Sequence, residues 1–214
     1  MYLPSDFRED RVPVLHELIR SRPLATLVTW GPGGLSANHI PMLIAPDPCP
    51  FGTLKGHVSR ANPVWKDAGT MALAIFTGPE HYISPSWYPA KQEHGRVVPT
   101  WNYVAVHAHG MIRAHEDREW LRELVTQLTA THEAQFTTPW SVSDAPANYV
   151  DGLLRAIVGI EIRIERLEGK WKLGQNRSSA DRHASAEKLM EMKTPSAAEV
   201  GRLMAEIGPE DQKV

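Results

Sequence analysis

Four stretches of this chain gather chemically capable side chains at close spacing. Lys55-Gly56-His57-Val58-Ser59-Arg60-Ala61-Asn62-Pro63 sets an ammonium, an imidazole, a hydroxyl and a guanidinium where a strand should give way to a helix. Backbone N–H groups at a helix start, with a capping hydroxyl and an arginine beside them, are what a phosphate monoester needs. The same residues would serve equally as a capped helix with a solvated arginine, and their spacing is not that of a P-loop. Tyr82-Ile83-Ser84-Pro85-Ser86-Trp87-Tyr88-Pro89-Ala90-Lys91 and Val98-Pro99-Thr100-Trp101-Asn102-Tyr103 bring aromatic faces together with hydroxyls and an amide. They could wall a flat heteroaromatic ring, with Thr100 and Asn102 reading its polar edge. A proline-rich loop anchored by its tryptophans would have the same composition. Lys172-Leu173-Gly174-Gln175-Asn176-Arg177 offers a glycine, two amides and an arginine, suited either to reading an anion or carbonyl or to making a polar turn.

Other chemistries find less support. His107-x-His109 places two imidazoles on one strand face, but no third metal ligand follows at a telling spacing, so no metal is expected. Cys49 lies between prolines without a histidine at motif spacing and reads as a loop thiol. Neither a G-x-S-x-G nucleophile elbow nor a G-x-G-x-x-G dinucleotide fingerprint occurs. No catalytic residue is assigned.

The elements that must position these residues follow from pattern. Val14, Leu15, Leu18 and Ile19 predict an amphipathic helix ending near Arg22-Pro23. Residues 24–30 and 35–44 read as a hairpin around Gly31-Pro32-Gly33-Gly34, with Pro41 marking an edge or bulge. Residues 45–50 form a loop and 51–58 a strand, and 59–68 a short helix that Ser59 could cap. Residues 71–77 are a buried strand, turned by Gly78-Pro79 before the chain resumes at 81–84; a loop over 85–95 follows. From 97 to 113 a long strand alternates Asn102, Val104, Val106, Ala108 and Ile112 against Tyr103, Ala105, His107, His109 and Met111. Asp117 caps a helix carrying Trp120, Leu121, Leu124, Val125 and Leu128. A second helix opens near Pro146, and a strand over 158–164 follows. Glu168-Gly169 turns the chain into 170–173. A helical tail runs over about 181–214, with Ser196-x-x-Glu199 as a capping box. Short turns between strands imply an antiparallel sheet, so the class is α+β, a small barrel with peripheral helices.

With 42% hydrophobic and 22% charged residues, the composition excludes a disordered or fibrous chain. No apolar run reaches the roughly 20 residues that span a bilayer, and the first ten residues lack a signal-peptide pattern. A single cysteine makes no internal disulfide. These features point to a cytoplasmic protein without a membrane partner. A net charge of −2 argues against binding DNA through excess positive charge. Seven tryptophans suggest flat apolar surfaces in a core, an interface or a ring pocket.

The sequence resembles the PaiB-type family of FMN-binding negative transcriptional regulators. The resemblance lies in Met1-Tyr2-x-Pro4, Gly56-His57-Val58-Ser59-Arg60-Ala61-Asn62-Pro63-x-Trp65, Ser84-Pro85-Ser86-Trp87-Tyr88 and Val98-Pro99-Thr100-Trp101-Asn102-Tyr103. It continues through Ile157-Val158-Gly159-Ile160-Glu161-Ile162 and Lys170-Trp171-Lys172-Leu173-x-Gln175-Asn176-Arg177. It runs in order from residue 1 to about residue 182. It implies one split antiparallel β-barrel domain over 1–214, similar to the pyridoxamine-phosphate oxidase barrel, and a homodimer with FMN in the groove between subunits. Carried over by motif, Lys55, His57, Ser59 and Arg60 would face the FMN phosphate and ribityl chain. Thr100, Trp101 and Asn102 would lie near the isoalloxazine, and Gln175 and Arg177 would close the site. The output implied is transcriptional regulation, with DNA as partner. The alternative is a flavin-dependent oxidoreductase or flavin reductase using the same site. Two positions depart from the pattern. Gly174 stands where the family usually has serine, and Asp181-Arg182-His183-Ala184 lacks a following glycine.

Overall fold

A computed structural model describes residues 1–46 and 49–208. Asp47 and Pro48 of the expected loop and residues 209–214 of the expected tail lie outside the described residues. In chain order the strands are β1 (Arg8–Glu9), β2 (Leu24–Gly31), β3 (Gly34–Pro41), β4 (Leu43–Ala45), β5 (Thr53–Ser59), β6 (Met71–Ile83), β7 (Thr100–His115), β8 (Ile157–Arg163) and β9 (Arg166–Lys172). The helices are α1 (Val12–Ser21), α2 (Ala90–Glu93), α3 (Arg118–Glu133), α4 (Ala147–Arg155), α5 (Ser179–Glu191) and α6 (Pro195–Ala205). The nine strands form an antiparallel sheet ordered β3-β2-β6-β7-β8-β5-β4, with β1 and β9 off that path. This is the expected α+β class, a split antiparallel barrel with helices around it. The chain forms two compact units, and β6 and β7 each contribute to both.

The first unit comprises His16–Phe76 and His107–Leu167. Here β2 pairs with β3 from Leu24↔Pro41 to Gly31↔Gly34, the expected hairpin, and Gly34 takes the left-handed conformation its turn requires (φ +93°). The return strand breaks just after Pro41, which still pairs with Leu24: Met42 separates β3 from β4, and these two strands sit at opposite ends of the order. Alternation buries Ala25 and Leu27 on β2, Ala72, Ala74 and Phe76 on β6, and Ile160 and Ile162 on β8. The Asp117 carboxylate accepts the Trp120 N–H at 2.8 Å, so α3 starts as the sequence predicts and buries Leu121, Leu124 and Leu128. Arg118 and Arg122 of α3 both pair with Asp151 of α4.

The second unit comprises Met1–Leu15, Thr77–Val106 and the described part of Glu168–Val214. Helices α5 and α6 bury Ala186, Leu189, Ala197, Val200 and Met204. Three local expectations are corrected here. Gly78-Pro79 does not turn the chain; β6 continues to Ile83. Pro79 brings no donor to the ladder, and the Ser196 hydroxyl meets the neighbouring Glu80 N–H and C=O at 3.1 and 2.8 Å. Ser196 therefore makes no capping box. Pro195 occupies the first turn of α6 and Thr194 becomes its cap. Nor does Glu168-Gly169 turn the chain. Gly169 lies within β9, paired with Glu9, where a Cβ would stand 2.2 Å from Leu15 Cδ2 and 2.7 Å from the Glu9 carbonyl oxygen. Glycine serves close approach at this position, with no turn.

Candidate functional site

On β5 the side chains of Lys55, His57 and Ser59 share the face opposite buried Leu54 and Val58. They nevertheless serve different places. Lys55 lines a cavity of about 490 Å³ with Arg20 and His132. His57 and Ser59 line a larger cleft of about 630 Å³ walled by Trp140, Tyr149, Leu153 and Leu154. Arg60 turns away from that cleft. Its guanidinium pairs with Glu116 and donates to the carbonyls of Arg155 at 2.9 Å and Ile157 at 3.2 Å. The helix expected from Ser59 is a five-residue 3₁₀ segment, Pro63–Asp67, and Asn62 caps it by accepting the Val64 N–H at 3.0 Å. Proline in the first turn moves the start beyond Ser59, whose hydroxyl accepts the Ala61 N–H instead. The helix start predicted at Ser59 therefore lies at Pro63 instead. His57 Nδ1 is buried without a hydrogen-bond partner, and burial holds the imidazole's pKa below its ordinary value.

In the second unit, the end of β9 and the turn after it meet the start of β7. The Lys172 ammonium donates to the Thr100 hydroxyl and, at 2.7 Å, to the Trp101 carbonyl. The Arg177 guanidinium lies 5.3 Å from the centre of the Tyr88 ring. Burial lowers the pKa of Lys172, and the positive charges of Lys170 and Arg177 lower it further. Lys170, buried, donates to the Tyr2 carbonyl at 3.0 Å and lies over the rings of Tyr2 and Tyr103. The buried Asp181 carboxylate accepts the Ala90 N–H at 3.1 Å. A cavity of about 40 Å³ opens among Tyr88, Thr100, Asn102, Lys172, Asn176 and Arg177.

The remaining sequence candidates take other positions. Trp101 is exposed and meets Tyr82 edge-on, centroids 6.1 Å apart. Asn102 is buried, with Nδ2 3.3 Å from Met204 Sδ. The Gln175 amide folds onto its own turn, accepting the Leu173 N–H at 2.9 Å and donating to the Trp171 carbonyl at 2.6 Å. Sequence reading overlooked Lys172 as a site residue. The signal was present, because period-two alternation on β9 puts Lys170 and Lys172 on one face. Gly174 adopts φ +86°, the left-handed region that favours glycine over serine.

The donor set fits the phosphate of a flavin mononucleotide. Three cations, Lys172, Arg177 and Arg182, and the hydroxyls of Thr100 and Tyr88 line the cavity. One water needs about 10–15 Å³, so 40 Å³ suits a phosphate group and is far too small for three fused rings.

Residues 1–166 match the protein family described as "Putative FMN-binding domain". The chain is 34% identical to an uncharacterized protein of Emericella nidulans, over 85% of this chain and 87% of that one. It is 30% identical to the Bacillus subtilis protease synthase and sporulation protein PAI 2, over 95% and 96%. The fold is similar to that of the FAD and heme binding protein from Mycobacterium smegmatis (TM-score 0.56, 16% identity, 77% of this chain and 73% of that one). It is also similar to the flavocytochrome Anf3 from Azotobacter vinelandii (TM-score 0.53, 12% identity, 76% and 67%). The sequence match, which covers most of the chain, shows that this protein belongs to the FMN-binding domain family and has a PaiB relative in Bacillus subtilis.

Proposed function

We propose that the chain binds FMN and that Thr100, Lys172 and Arg177 receive its phosphate. One observation carries this reading: Lys172 and Arg177, with Arg182 and the Thr100 hydroxyl beside them, converge on one small cavity whose lining includes no carboxylate. Lys172 and Arg177 supply charge-assisted donors, the stronger class of hydrogen bond. Tyr88 holds the guanidinium plane, and the Trp101 carbonyl fixes the ammonium. Bound FMN supplies one- and two-electron redox chemistry. Arg60 and Gln175, each satisfied by its own surroundings, are left out of this assignment.

Titration of FMN and riboflavin into the flavin-free protein tests it. Arg177→Ala should weaken FMN at least ~10-fold, about 1.4 kcal/mol, and riboflavin less than about 2-fold. Equal losses for both flavins would remove the phosphate role.

The functional unit we propose is a homodimer. Three strands of the first unit leave an apolar outer face of Val28, Trp30, Leu35, Met71, Leu73 and Ile75, none of them buried, and Trp30 is 65% and Leu35 72% exposed. Monomers rarely leave an apolar patch this continuous in water, and a second copy would cover it. Regulation is the output favoured by the PAI 2 relative and the PaiB-type motifs. Turnover of NADH or NADPH by the FMN-loaded protein would favour the oxidoreductase alternative.

A further inference from the structure

We infer, resting on the phosphate reading above, that Lys172 is a site of self-acylation: a short acyl phosphate seats its phosphate among Arg177, Arg182 and Thr100, and the Lys172 amine takes its acyl group. The nucleophile is held at two points. Lys172 Nζ donates to the Thr100 hydroxyl and, at 2.7 Å, to the Trp101 carbonyl. A neutral amine has two N–H donors and one lone pair, so these acceptors use both donors and leave the lone pair for an electrophile. Burial, with the charges of Lys170 and Arg177, lowers the pKa of Lys172, so more of its amine is neutral at a given pH than at an exposed lysine. Lys170 is no rival: it is buried, donates to the Tyr2 carbonyl and does not line the cavity.

The seat for the leaving group is cationic. Arg177 lies against the Tyr88 ring, and buried Arg182 donates to the Ile207 carbonyl at 3.3 Å while its side chain lines the cavity. No aspartate or glutamate lines it. Guanidinium groups match phosphoryl oxygens and stabilise the charge that grows on them as the phosphate departs. The volume of about 40 Å³ holds little beyond a phosphate group, so the acyl group is formyl or acetyl and a long chain is refused. In the transfer, the Nζ lone pair forms the N–C bond at the acyl carbon. The C–O bond to phosphate breaks with its electron pair on the phosphate oxygen. The proton lost from nitrogen goes to that oxygen, and hydrogen phosphate leaves; nothing is oxidised or reduced. The neutral amide removes one cation from the cavity and fills part of its space, so acylation closes the site to the phosphate of FMN.

The test treats the flavin-free protein with acetyl phosphate and follows each lysine by peptide mass mapping. Lys172 should react at least ~10-fold faster than exposed Lys66 and Lys193. Arg177→Ala, with its fold confirmed by circular dichroism, should slow Lys172 at least ~10-fold and leave Lys66 unchanged. Acetic anhydride has no phosphate to seat, so its reaction at Lys172 should slow far less in the same variant, through the changed pKa alone. FMN should protect Lys172 and riboflavin should not, and the acetylated protein should bind FMN at least ~10-fold more weakly. Lys172 reacting no faster than Lys66, or equal slowing of both reagents by Arg177→Ala, would overturn the acylation site. Neither outcome touches the contrast between FMN and riboflavin at Arg177. Preferential, Arg177-dependent acetylation that FMN fails to block would instead support the acyl phosphate site and remove FMN from it.

Discussion

At the scale of single residues, the phosphate cluster makes two predictions about Lys172 and Gly174. The folded-state pKa of Lys172 lies below its ordinary value, first through burial and then through Lys170 and Arg177. Its charge is therefore lost at lower pH than that of an exposed lysine, and FMN affinity should fall as pH rises through that lowered pKa. Stability moves the other way. Between the lowered pKa and the ordinary one the unfolded chain binds more protons, so the flavin-free protein should gain stability as pH rises through that window. Lys172→Arg, which keeps its charge throughout, should abolish the alkaline loss of FMN affinity in a pH series of flavin titrations; a loss that persists would place the titrating group elsewhere. Gly174 borders the same cavity at φ +86°, and a Cβ there would find no atom closer than 3.8 Å. Space is thus available for Gly174→Ser, while the left-handed backbone is unfavourable by roughly 1–2 kcal/mol. The variant should melt lower without flavin, and its added hydroxyl should tighten FMN but not riboflavin. A variant with unchanged FMN affinity would mean that position 174 does not reach the phosphate.

At the scale of elements, Gly159 on β8 is where a strand and a helix meet most closely. A Cβ there would lie 2.1 Å from the Trp120 ring on α3. The ring is also held in place by His115, which stacks on it with centroids 4.2 Å apart and planes 7° apart. Gly159→Ala should therefore cost about 1–3 kcal/mol, the usual range for overpacking, and Trp120→Leu in the same chain should recover part of the loss in thermal melts. Full stability of the single variant would show that α3 shifts without penalty. The same contact explains what the sequence could and could not disclose. Strand alternation on β7, the Asp117 cap and the Gly31-Pro32-Gly33-Gly34 hairpin were all legible, because each is decided by residues adjacent along the chain. Gly169 looks like a turn residue in isolation and Gly159 like an ordinary strand position, yet their role is to admit Leu15 and Trp120, which arrive from distant elements. Ser196 misled, and Gln175 proved locally engaged, for a related reason. A hydroxyl or an amide reads as a cap or a ligand group until the backbone that claims it is known. Arg60 belongs with them: its guanidinium looked free for phosphate, while Glu116 and two carbonyls more than ninety residues away in the chain engage it.

At the scale of the whole molecule, charge and exposed apolar surface decide how it meets partners. With 23 basic and 25 acidic side chains it has no excess charge to hold duplex DNA. Any operator binding should weaken steeply between about 50 and 200 mM salt, as phosphate-dominated contacts do. Tight, salt-insensitive binding would show that base contacts dominate instead. The proposed dimer rests on the outer face of β2, β3 and β6. Trp30 and Leu35 stand directly opposite each other there, at the hairpin end, and both are largely exposed, so charge can be placed on them without disturbing the core. Wild-type protein should sediment at twice 23.9 kDa, and Trp30→Glu with Leu35→Glu at 23.9 kDa. If FMN lies between subunits, as the PaiB-type resemblance implies, this monomer should lose affinity for FMN and riboflavin alike, because the phosphate cluster survives while the ring loses a wall. Arg177→Ala should discriminate between the two flavins, and the monomeric variant should not. A monomeric double variant that keeps wild-type affinity for both would place the whole flavin site within one subunit.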